Sequence, residues 1–150
     1  MGFRNIIVAV DGSEASQEAL NHTVEIARQS NASLTGVFVI DSQWADYIGN
    51  DWQSAKGARQ PFLDYILKEQ EEQAEAARGQ FESATKGLGT ANFTLMAGDP
   101  TDTLIEVANN ASTDLLVFSQ RVFQVSGRPS LKLLSKRIAK KAQRPFMVFP

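Results

Sequence analysis

The sequence contains no cysteine and a single histidine, His22. Without cysteine, the chain has no disulfides, thiolate metal sites or cysteine nucleophiles. One histidine excludes His-rich metal clusters and leaves a Ser/His/Asp triad nothing to build on besides His22 itself. The Walker, HExxH, GxGxxG and GxSxG patterns are absent as well, and no apolar run reaches the roughly 18 residues of a membrane-spanning helix. These absences argue against most metal-dependent, triad-based and membrane-embedded functions.

The composition is that of one folded domain. Hydrophobic residues make up 43% and charged residues 21% of the 150 residues, which is unlike a disordered chain. A chain of this length buries roughly 70% of its extended surface, so we expect residues 1–150 to form a single domain with a complete core. Met1-Gly2-Phe3-Arg4 leads directly into a strand-like run and leaves no room for a signal peptide. This predicts a cytoplasmic protein.

Charge is distributed unevenly along the chain. All 17 acidic residues lie at or before Asp114, and eight of the 15 basic residues follow it, although the net charge is only −2. A basic region can mark a surface for anions or nucleic acid, or it can be a basic helix that lies beside an acidic one. We favour the second interpretation and expect no direct binding of nucleic acid, because the pI is about 5.4 and no aromatic residues alternate with the basic ones.

Apolar runs alternate with helical patterns along the whole chain. The runs predict strands at Ile6–Val10, Leu34–Ile40, Phe93–Met96, Leu115–Phe118 and Phe146–Phe149. Between them, the pattern predicts helices with Ser13, Asp99 and Ser130 as N-caps, and a long helix with Pro61 in its first turn. Strands that alternate with helices in this way form a doubly wound parallel sheet with helices on both faces.

Two features of the predicted helices bear on function. The inner face of the long helix is predicted to be apolar, formed by Leu63, Leu67, Ala74, Ala77, Phe81 and Ala84. The irregular stretch before it contributes aromatic residues, Trp44, Tyr47 and Trp52, which join Phe62. These aromatics could form a lid, a patch for a partner, or a cluster packed on the long helix, and we favour the packed cluster. We expect His22, on the first helix, to be solvated.

Ligands of an open parallel sheet bind beyond the carboxyl ends of the strands. The loops that lie there begin at Asp11, Asp41 and Ser119. The first is short, acidic and followed by the N-terminus of a helix, whereas the third is long, basic and poor in glycine. A ligand site is therefore expected at these three loops.

Three segments of the chain resemble the universal stress protein family. Val8-Ala9-Val10-Asp11-Gly12-Ser13 is similar to the family's opening strand and turn. Gly98-Asp99-Pro100, followed by Asp114-Leu115-Leu116-Val117, is similar to its middle signature, and Pro145-Phe146-Met147-Val148 resembles its closing strand. The resemblance runs through the whole chain in the family's order and spacing.

The resemblance implies a fold, an assembly and a class of function. The fold is adenine-nucleotide-hydrolase-like, a five-stranded parallel sheet of order 3-2-1-4-5. The assembly is a homodimer, usually paired along the fifth strand, here Phe146–Phe149. A hydrophobic strand at the edge of a sheet would favour such pairing on physical grounds as well. Members act in stress tolerance, mostly as binding or regulatory modules rather than enzymes.

The loop that binds phosphates in the family has diverged here. Members that bind ATP carry G-x-x-G-x9-G-[ST] after the fourth strand, where glycines let backbone N–H groups approach the phosphates. Counted back from Pro145 without gaps, these positions hold other residues, namely Ser119, Val122, Lys132 and Leu133. The only glycine in the loop is Gly127. A gapped alignment leaves its turn as a substitute cradle, with Arg128 and Ser130 as donors.

The adenine end of that site is better preserved. By resemblance, Asp11 and Val39 occupy adenine-contacting positions. Each also has a simpler explanation, because Asp11 can accept N–H groups of the following helix and Val39 can be buried in the sheet. The candidate cofactor-binding residues are Asp11, Gly12, Ser13, Val39, Ser119, Gly127, Arg128 and Ser130. No catalytic or metal-binding residue is assigned.

These observations favour a cytoplasmic regulatory or protective module in the stress response, one that is not a tight ATP binder. We expect no catalysis, or at most a very slow ATPase activity, and an unidentified protein partner. The alternative is a member that binds ATP or AMP with slow or no hydrolysis. A phosphoryl-accepting receiver shares the doubly wound outline, but Asp11 has no adjacent acid and Ser119-Gln120-Arg121 supplies no lysine after the fourth strand.

Overall fold

Five parallel strands form one sheet in the order β3-β2-β1-β4-β5. This architecture comes from a computed structural model, which describes residues 3–49 and 57–150. The strands are β1 (Asn5–Ala9), β2 (Ser33–Asp41), β3 (Ala91–Gly98), β4 (Leu115–Ser119) and β5 (Phe146–Phe149). The α-helices are α1 (Glu14–Ser30), α2 (Trp44–Ile48), α3 (Arg59–Ala84), α4 (Pro100–Asn109) and α5 (Leu134–Lys141), and a 3-10 helix (Pro129–Leu133) precedes the last of them. The predicted strand order and doubly wound fold are confirmed.

The core lies on both faces of the central strands. All five residues of β4 are buried, and so are Ile6, Val8 and Ala9 of β1. Right-handed crossovers place α1 and α3 on one face and α4 and α5 on the other, and the helices of each pair contact each other. In β2, Gly36 has no side chain to obstruct α3, and the ring of Phe81 fills that space. None of the helices in the described ranges has the length and apolar character to cross a membrane.

The inner face of α3 differs from the predicted one in its first half. The buried residues are Ile66, Gln70, Ala74, Ala77 and Phe81, whereas Leu67 is 47% exposed. Gln70 is a polar residue on this face because its side chain binds the backbone at the end of β2. Its Oε1 accepts from the Asp41 N–H at 2.5 Å, and its Nε2 donates to the Asp41 carbonyl at 3.2 Å. These bonds turn Ile66, rather than Leu67, toward the sheet.

One smaller prediction was also wrong, and another was confirmed. Ser130 caps no helix, because Pro129 starts the 3-10 helix one residue earlier and the N-caps of that helix and of α5 make no side-chain hydrogen bond. His22 is exposed as predicted, but its ring also stacks on Phe149 of β5, with ring centres 5.0 Å apart.

The aromatic stretch before α3 contains the short helix α2. The ring of Trp44 meets Tyr47 and Phe62 edge to face, with centres 5.6 and 5.8 Å away. This is the predicted packing of these aromatics on the long helix, and Tyr47 is the most exposed of the three. Trp52 lies outside the described residues.

Candidate functional site

The turn between β1 and α1 is fixed by short-range hydrogen bonds. Ser13 Oγ accepts the Ser16 N–H at 3.1 Å and caps α1, and Asp11 Oδ1 accepts the Ser13 N–H at 3.0 Å. Gly12 has a φ of +83°, and a Cβ there would lie 2.9 Å from the Cβ of Ala76 in α3. Glycine is required here for both its positive φ and the close approach of α3.

Asp11 connects this turn to the loop that follows β4. The side chain is buried, and its second oxygen, Oδ2, accepts the backbone N–H of Phe123 at 2.9 Å. Both carboxylate oxygens therefore already accept hydrogen bonds within the protein. A ligand that needed the Asp11 carboxylate would have to displace the Phe123 N–H.

The loop between β4 and the 3-10 helix folds inward over the carboxyl edge of the sheet. Val122 and Phe123 are buried, and the Phe123 ring meets Phe38 of β2 edge to face, with centres 5.5 Å apart. Phe123 holds a φ of +66°, a conformation that is rare for a bulky residue. The loop thus places an aromatic ring at the edge where a ligand was expected.

Gly127 stabilises this inward fold rather than forming an open phosphate cradle. A Cβ at Gly127 would lie 2.2 Å from the carbonyl oxygen of Phe123, so two parts of the loop pack directly against each other there. One residue earlier, Ser126 Oγ donates to Gln73 Oε1 of α3 at 2.9 Å. The predicted substitute cradle at Ser126–Ser130 is in contact with the rest of the protein.

Arg128 anchors the end of the loop with two ion pairs. Its Nε lies 2.5 Å from Asp41 Oδ2, at the end of β2, and its Nη2 lies 2.8 Å from Asp99 Oδ2, at the start of α4. Arg128 and Asp41 are 9% and 3% exposed, so the pair between them is shielded from water. The guanidinium that was predicted to meet phosphates therefore binds two carboxylates of its own chain.

Arg128, Asp41 and Asp99 form a cluster of opposite charges that stabilise one another. Burial would lower the pKa of Arg128, but hydrogen bonds and charge from Asp41 and Asp99 outweigh it, so the pKa is raised. Burial would raise the pKa of Asp99, but the Asp102 N–H and Arg128 lower it to below the ordinary aspartate value. At neutral pH, these shifts favour the ionised forms of Arg128 and Asp99.

Little space is left behind the loop, although an open depression of about 320 Å³ lies between the loop and the start of α1, beside Ser13 and Arg121. The cavity that Val39, Asp41, Phe123 and Gly127 line measures about 10 Å³, enough for about one water molecule. Pockets for small organic ligands measure roughly 300–1,000 Å³. A depression of about 600 Å³ lies at the opposite edge of the sheet, beside Arg4 and Arg28, and it contains none of the predicted site residues.

The predicted site residues separate into two groups. The structure places Asp11, Gly12, Ser13, Val39, Gly127 and Arg128 around the carboxyl edge. Ser119 is buried at the end of β4 and donates to the Pro150 carbonyl at 3.2 Å. Ser130 is exposed, and its Oγ accepts a long hydrogen bond from Arg128 Nη1, at 3.5 Å.

Sequence reasoning missed three residues that shape this edge: Phe123, Asp41 as an ion-pair partner, and Gln70. One signal was available for Asp41. It is an acid at the carboxyl end of a strand, where the loop that begins at Asp41 was already expected to face a ligand. Nothing in the local pattern around Phe123 indicates that its backbone binds a residue 112 positions away.

Comparisons with known proteins agree on the family and the fold. Residues 2–150 match the profile of the Universal stress protein family. A universal stress protein from Methanocaldococcus jannaschii is 23% identical over 146 residues, which cover 97% of this chain and 81% of that protein. The structure is similar to that of UspA from Lactobacillus plantarum, with a TM-score of 0.74, 23% identity and coverage of 100% and 99% of the two chains. It is also similar to a universal stress protein from Archaeoglobus fulgidus in complex with dAMP, with a TM-score of 0.64, 16% identity and full coverage of both chains.

Proposed function

The chain belongs to the universal stress protein family, and we propose that within it the protein is a cytoplasmic regulatory or protective module that does not bind ATP tightly. The observation that carries the proposal is the inward fold of the β4–α5 loop, Gln120–Arg128. Behind this loop, beside Val39 and Asp41, the cavity measures about 10 Å³. In this proposal, residues 1–150 work as one domain that signals through a protein partner, without catalysis or with at most a very slow ATPase activity.

The charges at this edge support the same proposal. A triphosphate needs hydrogen-bond donors and positive charge that are not already used. Here Arg128 is paired with Asp41 and Asp99, and the other charges of that cluster are negative. Bringing phosphates to Arg128 would break two ion pairs and place negative charges together, which costs several times the thermal energy in a buried setting.

Calorimetric titration tests the proposal. The protein is first stripped of nucleotide and then titrated with ATP and with AMP, with and without magnesium. We expect no binding heat up to millimolar ligand, and no nucleotide in the supernatant of freshly purified, denatured protein. A micromolar Kd for ATP would overturn the proposal.

The second candidate function is a member that binds ATP or AMP and hydrolyses it slowly or not at all. It is favoured by the relative that was solved with dAMP, and by the position of Asp11 and Val39 at the carboxyl edge. Under this alternative, AMP and ATP bind with measurable heat, and phosphate release from ATP is detectable above the blank. Binding of AMP with no gain for ATP would indicate that only the adenine end of the site is used.

We also propose that two copies pair through β5. This strand lies at one end of the sheet and is hydrophobic throughout, with Val148 39% exposed. An unpaired hydrophobic edge promotes association. Met147→Lys should convert the dimer to a monomer in light scattering, whereas Leu133→Lys, at an exposed hydrophobic residue outside β5, should leave it a dimer. An unchanged mass for Met147→Lys would contradict the pairing.

A further inference from the structure

The β4–α5 loop combines conformational strain with a small number of anchors. Phe123 is an aromatic residue with a φ of +66°, which costs of the order of 1–3 kcal/mol unless the surroundings enforce it. The surroundings do so at three points: the Phe123 N–H on Asp11, the Ser126 hydroxyl on Gln73, and the Arg128 guanidinium on Asp41 and Asp99. Strain that is held in place by specific contacts is released when those contacts break.

The tip of the loop is not part of the core. Val125, between the first and second anchors, is 70% exposed, and Gln124 bonds within the loop region, to the carbonyls of Gln120 and Leu131. Segments with few buried contacts open locally at a lower free energy than the core does. Release of the three anchors, together with withdrawal of the buried Val122 and Phe123, would therefore move this loop while β4 stays in the sheet.

What the loop covers has the chemistry of a binding site. Behind Phe123 lie an acceptor, the carboxylate of Asp11, and an apolar wall that contains Phe38 and Val39. The Phe123 N–H donates to Asp11, and the Phe123 ring packs against Phe38. A planar ligand with one N–H donor would make the same two contacts. An anionic group on such a ligand would compete with Asp41 and Asp99 for Arg128.

We propose that the β4–α5 loop is an autoinhibitory plug, in which Phe123 occupies the ligand position of its own chain and Arg128 keeps it there. The inference rests on the proposed function, because it explains why this edge takes no nucleotide in the resting protein. It adds that the site persists beneath the plug and is exposed when the loop swings out. A plugged protein that opens 0.1–10% of the time binds about 10- to 1000-fold more weakly than an open one.

Removing the ring tests the plug. Phe123→Gly deletes the side chain and suits the positive φ, so that the loop backbone is not strained further. AMP, as a nucleobase probe with one anionic group, should bind to this variant about 10- to 1000-fold more tightly than to the unaltered protein. Val125→Ala is the matched control, because it shortens an exposed side chain of the same loop and should not change the affinity for AMP.

The outcomes separate the plug from the proposed function. If the unaltered protein already binds AMP as tightly as Phe123→Gly does, the plug is overturned, and a micromolar Kd of the unaltered protein for ATP would overturn the proposed function as well. If neither the unaltered protein nor a folded Phe123→Gly variant binds AMP, the plug is overturned while the proposed function stands. Should that variant fail to fold, Phe123→Asn replaces it, because asparagine is short and tolerates a positive φ.

Hydrogen exchange tests the same inference in the unaltered protein. The plug predicts that the Phe123 amide exchanges through local opening, with a protection factor of about 10 to 1000 that low urea hardly changes. The amide of Val117, in the buried strand β4, should exchange much more slowly and only through global unfolding. Equal protection of the two amides, with equal sensitivity to urea, would show that the loop opens only with the whole protein and would overturn the plug.

Discussion

The two connections at the carboxyl edge of the sheet, the β1–α1 turn and the β4–α5 loop, are stabilised in different ways. The turn combines hydrogen bonds between residues two to five positions apart, such as Ser13 N–H to Asp11 and Ser16 N–H to Ser13, with bonds between Gln80 of α3 and the backbone of Gly12 and Ser13. The loop is held by contacts across the fold, with Phe123 bonded to Asp11 and Arg128 paired with Asp41, 112 and 87 positions away. The local bonds of the turn can form from its own sequence, whereas the contacts of the loop form only on the completed sheet.

In our proposal, the β4–α5 loop determines whether the edge can accept a ligand. A short turn that caps a helix leaves space beyond the strand end, and the family places a nucleotide beside it by the resemblance described above. In this chain, the long loop fills that space with Phe123. In this account, the long-range contacts of one loop decide whether the site is open or closed. Substitutions in the turn and in the loop should therefore change the stability of the protein by different amounts.

The largest effect is expected at Arg128. Arg128→Ala leaves Asp41 buried without its partner, and the loss of one member of a buried pair costs about 3–5 kcal/mol of unfolding free energy. Urea denaturation followed by circular dichroism measures this change. Arg121→Ala, at an exposed arginine of the same loop, should cost less than about 0.5 kcal/mol, and a similarly small loss for Arg128→Ala would contradict the anchoring role.

Gly12→Ala should have the next largest effect, this time in the turn. A φ of +83° strains alanine, and its Cβ would lie 2.9 Å from Ala76, so we expect a loss of roughly 2 kcal/mol. Gly79→Ala in α3 is the control with the opposite sign, because nothing lies within 4 Å of its new Cβ and alanine stabilises a helix interior by about 1 kcal/mol. Thermal unfolding of the two variants should therefore shift in opposite directions, and a shift in the same direction would refute the strain at Gly12.

The two serines that the sequence predicts as caps provide a smaller contrast. Ser13→Ala removes the observed N-cap of α1 and should cost about 1 kcal/mol. Ser130→Ala removes an exposed hydroxyl that caps no helix and should cost less than about 0.5 kcal/mol. Chemical denaturation compares them, and an equal cost would mean that Ser130 has a structural role that the loop geometry does not account for.

The smallest and most selective effect on stability is expected when the pH is lowered. The pKa of Asp99 is lower when folded than when unfolded, so its stabilising effect is present at neutral pH and is lost as the pH falls from about 5 through the folded pKa. Asp99→Asn keeps an N-cap residue but removes this titration. The variant should start less stable at pH 7 and lose less stability on acidification, and parallel stability curves for the two proteins would contradict the ion pair with Arg128.

The fold could be predicted from the sequence because its signals are local. Each strand run and the caps at Ser13 and Asp99 depend on neighbouring residues, and the structure has them at the predicted places. The inner face of α3 was partly wrong because Gln70 is buried through bonds to the distant backbone of Asp41. The occupant of the site could not be predicted for the same reason. Phe123 and Arg128 have no local feature that indicates their partners on β1, β2 and α4.

The most direct test of the closed edge is the proximity of two rings. Phe123 and Phe38 have ring centres 5.5 Å apart, close enough for a strong nuclear Overhauser effect between their protons. We predict this cross-peak in the nucleotide-free protein, and the same intensity in the presence of millimolar ATP. Its absence in the free protein, or its loss on addition of ATP, would contradict the claim that the loop closes this edge.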